Sequence, residues 1–252
     1  MRLLLAILTF AFAGLAGAAD AQVAPAAQRI LDRARGASGG PGWNALRGLH
    51  EVGVESGVRY ERWIDPLRYG LRVEMQDAAG KHVRAFNGAA EWEIRPDGVV
   101  TGGDDGPTLR RVRSETFFGA HGYFYPGRFD ARGSLVGVRP AQGRLFDVVR
   151  LQPYGADPWE LWFDRTTGLL DRAINPAGVT IEFSDYRTVA QVKVPYRTLI
   201  YGGGMPRLKT RVLETIDFPA ADRDMFSLPA AAVQAARLPL DRQAPMPVSS
   251  PQ

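Results

Sequence analysis

"RYGLRVEMQ", residues 68–76, decides the fold. Tyr69, Leu71, Val73 and Met75 alternate with Arg68, Gly70, Arg72, Glu74 and Gln76. That period of two belongs to a strand with one apolar face. The alternation returns on both sides. "AEWEIRP" (90–96) sets Trp92 and Ile94 against Glu91, Glu93 and Arg95, and "VTIEFSD" (179–185) sets Val179, Ile181 and Phe183 against Thr180, Glu182 and Ser184. "RLKTRV" (207–212) sets Leu208, Thr210 and Val212 against three bases. "DAAG", "RPDG", "DRTTG", "NPAG" and "YGGG" punctuate these runs as turns. The pattern is a long antiparallel meander with one apolar and one wet face.

Two segments break the alternation. After Pro25, the residues Ala27, Ile30, Leu31 and Ala34 fall at i, i+3, i+4 and i+7, the stripe of a short amphipathic helix that "GASGGPGW" ends. The second runs from Pro107 to Gly127 and overlaps "SETFFGAHGYFYPGRF" (114–129), which carries six aromatic residues. Two short helices cannot cover the apolar face of eight or more flat strands. The expected fold is therefore mainly β with a few helices (α+β), built on a curled antiparallel sheet. The aromatic segment is expected against its open side, and the interior is either packed or left as a ligand cavity.

Arg2, the apolar run Leu3–Ala16 and the small residues after it read as an export signal over 1–21, cut before Gln22. The chain has no cysteine, which excludes disulfides, thiol chemistry and a lipid-modified cysteine anchor. The expected location is a Gram-negative periplasm, in soluble and unanchored form. A formal charge of +4 allows attraction to anionic surfaces. Its simpler source is an arginine-rich composition, and export argues against nucleic acid as a partner.

Catalytic motifs fare poorly. Gly36-Ala37-Ser38-Gly39-Gly40 matches the nucleophile-elbow spacing but follows a helix, where the elbow needs a strand-to-helix turn. His50, His82 and His121 are too scattered for a metal site or triad. Asp104 and Asp105 lack the alternating oxygens of a calcium loop and read as a turn into the next helix. Arg110, Arg111 and Arg113 read as a solvated helix face. No enzyme activity, metal or other cofactor is expected.

"GVRYERWIDPLRYGLRVEM" followed by "FNGAAEWEIRPDG", with Pro66, Gly88 and Trp92, resembles the opening strands of the LolA-like periplasmic lipoprotein carriers, the LolA/LolB/RseB-like group. "LWFDRTTGLLDRAINPAGVTIEFSDYR" and "TIDFPAADRDMFSLP" are similar to that family's later hairpin and final strand, and "ASGGPGWNALRGL" resembles a noncatalytic N-terminal region of some exported peptidases. The family resemblance implies a LolA-like lipid-binding domain over 22–229, leaving 230–252 as a disordered tail rich in Ala, Pro, Gln and Ser. It also implies that the curled sheet forms a half-open β-barrel with a helical lid over an apolar cavity that accepts acyl chains. One departure stands out: Asp65 occupies the position before Pro66 where the carriers place a lid-latching arginine.

The expected function is a non-catalytic, monomeric carrier or sensor that binds a lipid or lipoprotein acyl chain and exchanges it with a membrane-bound donor or acceptor protein. The candidate lining is Leu71, Val73, Trp92, Ile94, Phe117, Phe118 and Phe124, with Tyr123 and Tyr125 at the rim. Two other readings stay open. One is an envelope stress-sensor or protein-interaction module with a filled core; the other is a hydrolase centred on His121 or Ser38.

Overall fold

The structure, a computed structural model, describes residues 22–228. The expected signal at 1–21, Pro229 and the tail at 230–252 lie outside the described residues. Helix α1 spans Pro25–Ala37, and a 3₁₀ turn follows at Gly40–Ala45. Six strands come next: β1 Leu49–Glu55, β2 Val58–Asp65, β3 Gly70–Asp77, β4 Gly80–Phe86, β5 Glu91–Ile94 and β6 Val100–Gly103. Helix α2, Gly106–Gly119, leads through a 3₁₀ turn at Gly122–Phe124 into the second run of strands. These are β7 Ala131–Ala141, β8 Arg144–Pro153, β9 Trp159–Asp164, β10 Leu170–Ile174, β11 Val179–Val189, β12 Val192–Gly202 and β13 Lys209–Asp217.

All thirteen strands form one antiparallel sheet in the order β6-β5-β4-β3-β2-β1-β13-β12-β11-β10-β9-β8-β7. The chain thus meanders outward from β1 to β6, crosses by α2, and meanders back from β7 to β13, which pairs with β1. Short turns set the register. Ser56 (φ 49°) and Gly57 (φ 89°) form a two-residue hairpin loop whose twist suits the flanking strands. It places Glu55 opposite Val58 and Glu51 opposite Arg62.

The expected curled, half-open barrel is overturned. The strand order is linear, β6 and β7 are its two separate ends, and the sheet neither closes nor curls strongly. The inference failed because its premise of a single apolar face is wrong. Val83, Ala85 and Trp92 form their own cluster with Ile94 and Leu228, while Leu71 and Phe86 from the neighbouring positions join Val112 and Ala120 of the α2 segment in another. In β8, Phe146, Val148, Val149 and Leu151 are all fully buried although consecutive side chains point to opposite faces. A sheet with apolar patches on both faces has less need to roll up.

The main core lies where α1 and the aromatic segment cover β8–β12. Ala27, Ile30, Leu31 and Ala34 bury the helical stripe against Val149, Leu151, Leu161 and Phe163. Asp105 starts α2 as its N-cap, accepting from the Thr108 backbone N–H at 2.9 Å and from the Thr108 hydroxyl at 2.8 Å. The helix ends at Gly119, and His121 takes the left-handed conformation (φ 53°) that turns the chain back. Gly122 is required there by contact: a Cβ would overlap the ring of Phe117, which is 1% exposed.

Gly122→Ala is accordingly expected to cost about 1–3 kcal/mol through overpacking. Gly127→Ala, whose Cβ would meet nothing within 4 Å, should stay within about 0.5 kcal/mol. Urea denaturation of both variants beside the parent checks the difference.

Candidate functional site

A cavity of about 680 Å³ lies between the sheet and the C-terminal end of α2. Sites for small ligands typically occupy about 300–1,000 Å³. Its lining divides by chemistry. On the β9–β13 side stand Trp159, Ile181, Phe183, Val194 and Leu213, with Phe118 and Tyr123 contributed by the aromatic segment. Phe118 stacks on Trp159 with ring centroids 4.6 Å apart and planes 20° from parallel.

On the side formed by β1, β2 and the start of β13 the lining is charged. Glu51 and Glu55 are only 8% and 9% exposed. The Arg62 Nε and Nη2 donate to the two oxygens of Glu51 at 2.9 and 2.7 Å. Arg211 donates from Nε and Nη2 to one oxygen of Glu55, and Lys209 approaches the other oxygen at 3.5 Å. Burial alone would raise both carboxyls, but these cations hold Glu51 and Glu55 below the ordinary glutamate value. Arg84 and Glu93, on β4 and β5, extend the charged side.

Sequence alternation misses this side because β1 presents its glutamates inward. Leu49, Glu51 and Glu55 line the cavity, and Val52 and Val54 point the other way by the two-residue period. On β13 a register irregularity opposite Val52 and Gly53 leaves Glu214 unpaired with β1. Before it Lys209, Arg211 and Leu213 line the cavity; after it Ile216 does. The extra residue switches which parity faces inward. Leu208 and Val212, read as the apolar set of "RLKTRV", are therefore exposed.

The candidate lining residues separate into two groups. Leu71, Val73, Phe118 and Tyr123 line the cavity. Trp92, Ile94, Phe117, Phe124 and Tyr125 do not. Trp92 and Ile94 belong to the cluster on the other face of β4 and β5, where the Trp92 indole N–H donates to the Phe226 carbonyl at 2.9 Å. Phe117 and Phe124 are packed core. Tyr125 is 6% exposed rather than at a wet rim, and its hydroxyl donates to the Trp43 carbonyl at 2.6 Å. The alternation placed Trp92 and Ile94 with the correct parity on the wrong face, since nothing in "AEWEIRP" shows which side holds the cavity.

His121 lines the cavity with its ring 4.7 Å from Trp43 and stacked on Phe124 at 5.7 Å, and its buried Nδ1 has no hydrogen-bond partner. Burial pulls its pKa down to about 4, against a partial upward pull from Glu51 and a further downward push from Arg62. The imidazole is neutral at pH 7. Among the described residues the Ser38 hydroxyl meets no base: it donates to the Ala34 carbonyl at 2.9 Å and accepts the Trp43 indole N–H at 3.0 Å. Both candidates for hydrolysis are packed into helix ends and aromatic rings. Among the described residues no group of three or more His, Asp or Glu is arranged to hold a metal ion.

Asp65 is a turn former. It is 2% exposed, and its Oδ1 accepts the Leu67 backbone N–H at 2.7 Å as the chain leaves β2. The carboxylate closes an Asx turn.

Two measurements probe these environments. The unfolded chain binds a proton at His121 below about pH 6.5, while the folded chain resists until about 4. Stability should be complete above pH 6.5 and fall as pH drops towards 4, by about 1–3 kcal/mol. His121→Gln should flatten the slope between pH 4.5 and 6.5, above the range in which Glu51 and Glu55 lose their contribution. At the turn, Asp65→Asn keeps the acceptor and should change stability by less than about 1 kcal/mol, whereas Asp65→Arg buries an unmatched cation and should cost at least about 2 kcal/mol. Denaturation midpoints across pH, and for the two turn variants, check both.

No protein-family model matches the chain, and no curated protein matches it. Solved structures do. A DUF1329 family protein from Desulfovibrio piger superimposes with a TM-score of 0.54 at 10% identity, covering 81% of this chain and 98% of that one. A LolA superfamily protein from Nitrosomonas europaea gives 0.52 at 12% identity, covering 80% and 97%. A domain assigned to outer membrane lipoprotein sorting in Vibrio parahaemolyticus gives 0.50 at 10% identity, covering 79% and 95%. At these identities the likeness concerns the fold. The chain shares its fold with a DUF1329 family protein and a LolA superfamily protein.

Proposed function

We propose that this protein is an exported, periplasmic and non-catalytic carrier or sensor that holds an acyl chain of a lipid or lipoprotein in the cavity beside α2. The observation that carries the reading is an unfilled cavity of about 680 Å³ whose β9–β13 side is apolar. Binding there needs no reaction. Each methylene moved out of water contributes about 0.8 kcal/mol, so an apolar wall supplies affinity by area. The ligand contacts proposed from the sequence now rest on Leu71, Val73, Phe118 and Tyr123, joined by Trp159, Ile181 and Phe183. The solved structures of the same fold include one assigned to lipoprotein sorting, which supports a lipid-handling role and a membrane-bound donor or acceptor. Asp65, tied into its turn, offers no arginine latch, so any closure over the ligand works by other contacts.

A second reading, a protein-interaction module, draws on one feature. Edge strand β7 exposes Leu135 and Val138 at 41% and 43%, beside Leu145 of β8 at 49%. Among the described residues only its first part is covered, by Val23 and the Ala24 N–H donating to the Gly133 carbonyl at 2.8 Å.

Native mass spectrometry of protein taken from the periplasm should detect a bound lipid. Ile181→Trp, which adds bulk inside the cavity, should change stability by less than about 1 kcal/mol, below the usual cost of overpacking a filled core, and should abolish binding of a fluorescent fatty acid. A loss of stability above about 2 kcal/mol would mark the site as packed core and favour the interaction module.

A further inference from the structure

An apolar ligand needs no charge in its pocket, yet this cavity carries one side of paired charges. Removing ions from water is costly, and apolar residues of similar volume often stabilise such a position as well or better. Glu51 and Glu55 sit on the cavity face of β1, in the middle of the sheet, and each has recruited an arginine from a different neighbouring strand: Arg62 from β2 and Arg211 from β13.

The donor count leaves these pairs unbalanced. Both oxygens of Glu51 are taken by Arg62 Nε and Nη2, and Glu55 is taken by Arg211 and Lys209. Nη1 of Arg62 and Nη1 of Arg211 make no hydrogen bond among the described residues, and neither is a sealed, buried atom. Lys209 is half-exposed and holds Glu55 only at 3.5 Å. Arg62, Arg211 and Lys209 all line the cavity, and each keeps N–H donors beyond those its glutamate engages. Tyr60 adds a phenol beside them, its hydroxyl buried without a partner. The packed arginines are also pre-oriented, since the glutamates fix their planes and little freedom is left to lose on binding.

We propose that this charged side is a head-group site: it binds the anionic head, a carboxylate or a phosphate monoester, of a single-chain amphiphile through Arg62 and Arg211, with Lys209 at its margin, while the chain lies along Phe118, Trp159 and Ile181. The inference rests on the acyl-chain reading above and specifies the ligand's polar end. It assigns Glu51 and Glu55 a positioning role, since they orient the arginines and do not touch the ligand. Charge-assisted hydrogen bonds of this kind are among the stronger polar contacts.

The test uses the chain lacking its first 21 residues and measures, by calorimetry, dodecanoate, dodecyl phosphate, 1-dodecanol, dodecyltrimethylammonium and acetate. The expected result is that both dodecyl anions bind at least about tenfold tighter than dodecanol, and that acetate shows no binding. Glu51→Gln/Arg62→Gln, which removes both charges together and so leaves no unpaired ion, should keep its dodecanol affinity within about twofold and lose most of the anion preference. Arg211→Gln, at a partly exposed position, provides a second variant should the double one fail to fold. Equal binding of anion and alcohol by the parent overturns the head-group site and leaves the acyl cavity standing. Preference for the ammonium amphiphile reverses the sign and overturns it too. Absence of binding by every dodecyl compound removes the acyl cavity itself.

Discussion

Everything in this molecule follows from a shortage of cover. Thirteen antiparallel strands in one open sheet present far more face than helices of 13 and 14 residues can bury. The chain meets the shortage in two places and leaves a third open. Helix α1 and the aromatic segment are packed together over β8–β12, so that one region becomes a dense core. The segment around Phe226 covers the other face of β3–β5: the Phe226 ring lies against Gly70, where a Cβ would stand 2.8 Å from it. What remains uncovered beside α2 is the cavity. Its position is therefore the remainder left by the aromatic wedge, which stops at Phe118 and Tyr123, the two members that belong to both core and cavity lining.

The uncovered region tolerates charge because the charges come in matched cross-strand pairs. Glu51 and Arg62 are direct partners across β1 and β2, and Glu55 and Arg211 across β1 and β13. Side chains directly opposite on one face are the natural unit of sheet stabilisation. Pairing restores to each carboxylate the ionised state that burial opposes. Burial holds the neighbouring His121 neutral, against the upward pull of Glu51. A polar group inside a sheet is stable here only as part of a set, and removing one member costs more than removing two.

Strands were legible from the sequence because the period of two is a local property. "RYGLRVEMQ" and "VTIEFSD" announce their inward faces correctly, and Leu71, Val73, Met75, Ile181 and Phe183 do line the cavity. The helix stripe Ala27, Ile30, Leu31, Ala34 is also local and is buried as read. Sheet openness and the choice of face are not local. Trp92 and Ile94 alternate as expected, but the segment that covers them arrives far along the chain, with Phe226 lying 134 residues after Trp92 and Leu228 just beyond it. In β13 a single extra residue reverses the inward parity. The charged side of the cavity did leave one signal: the hairpin loop Ser56-Gly57 fixes the register, and counting outward from it brings Glu51 opposite Arg62. An acid facing a base on the same face of a hairpin is readable from the residues alone, provided the apolar alternation of Val52 and Val54 is not taken as the only guide to what lies inside.

The two ends of the segment over the sheet are held by different physics, and this orders how they respond to their surroundings. The aromatic end is fixed by buried rings: Phe117 meets Phe118 edge-on at 5.1 Å, and Tyr123 meets Phe124 at 4.6 Å. Such contacts are insensitive to salt. Helix α2 is fastened to the sheet at its rim by ion pairs, Arg84 with Glu91 and Glu115 and Arg111 with Glu91, and to the β8–β9 connection by Ser114 donating to the Asp157 carbonyl. Half-exposed pairs of this kind contribute about 0–1 kcal/mol each and weaken with ionic strength. These pairs supplement the buried Val112, which packs α2 against Leu71 and Phe86, while Phe118 at the C-terminal end of the helix borders the cavity. Added salt therefore loosens the ion-paired rim of α2 and leaves the aromatic contacts beside the cavity in place.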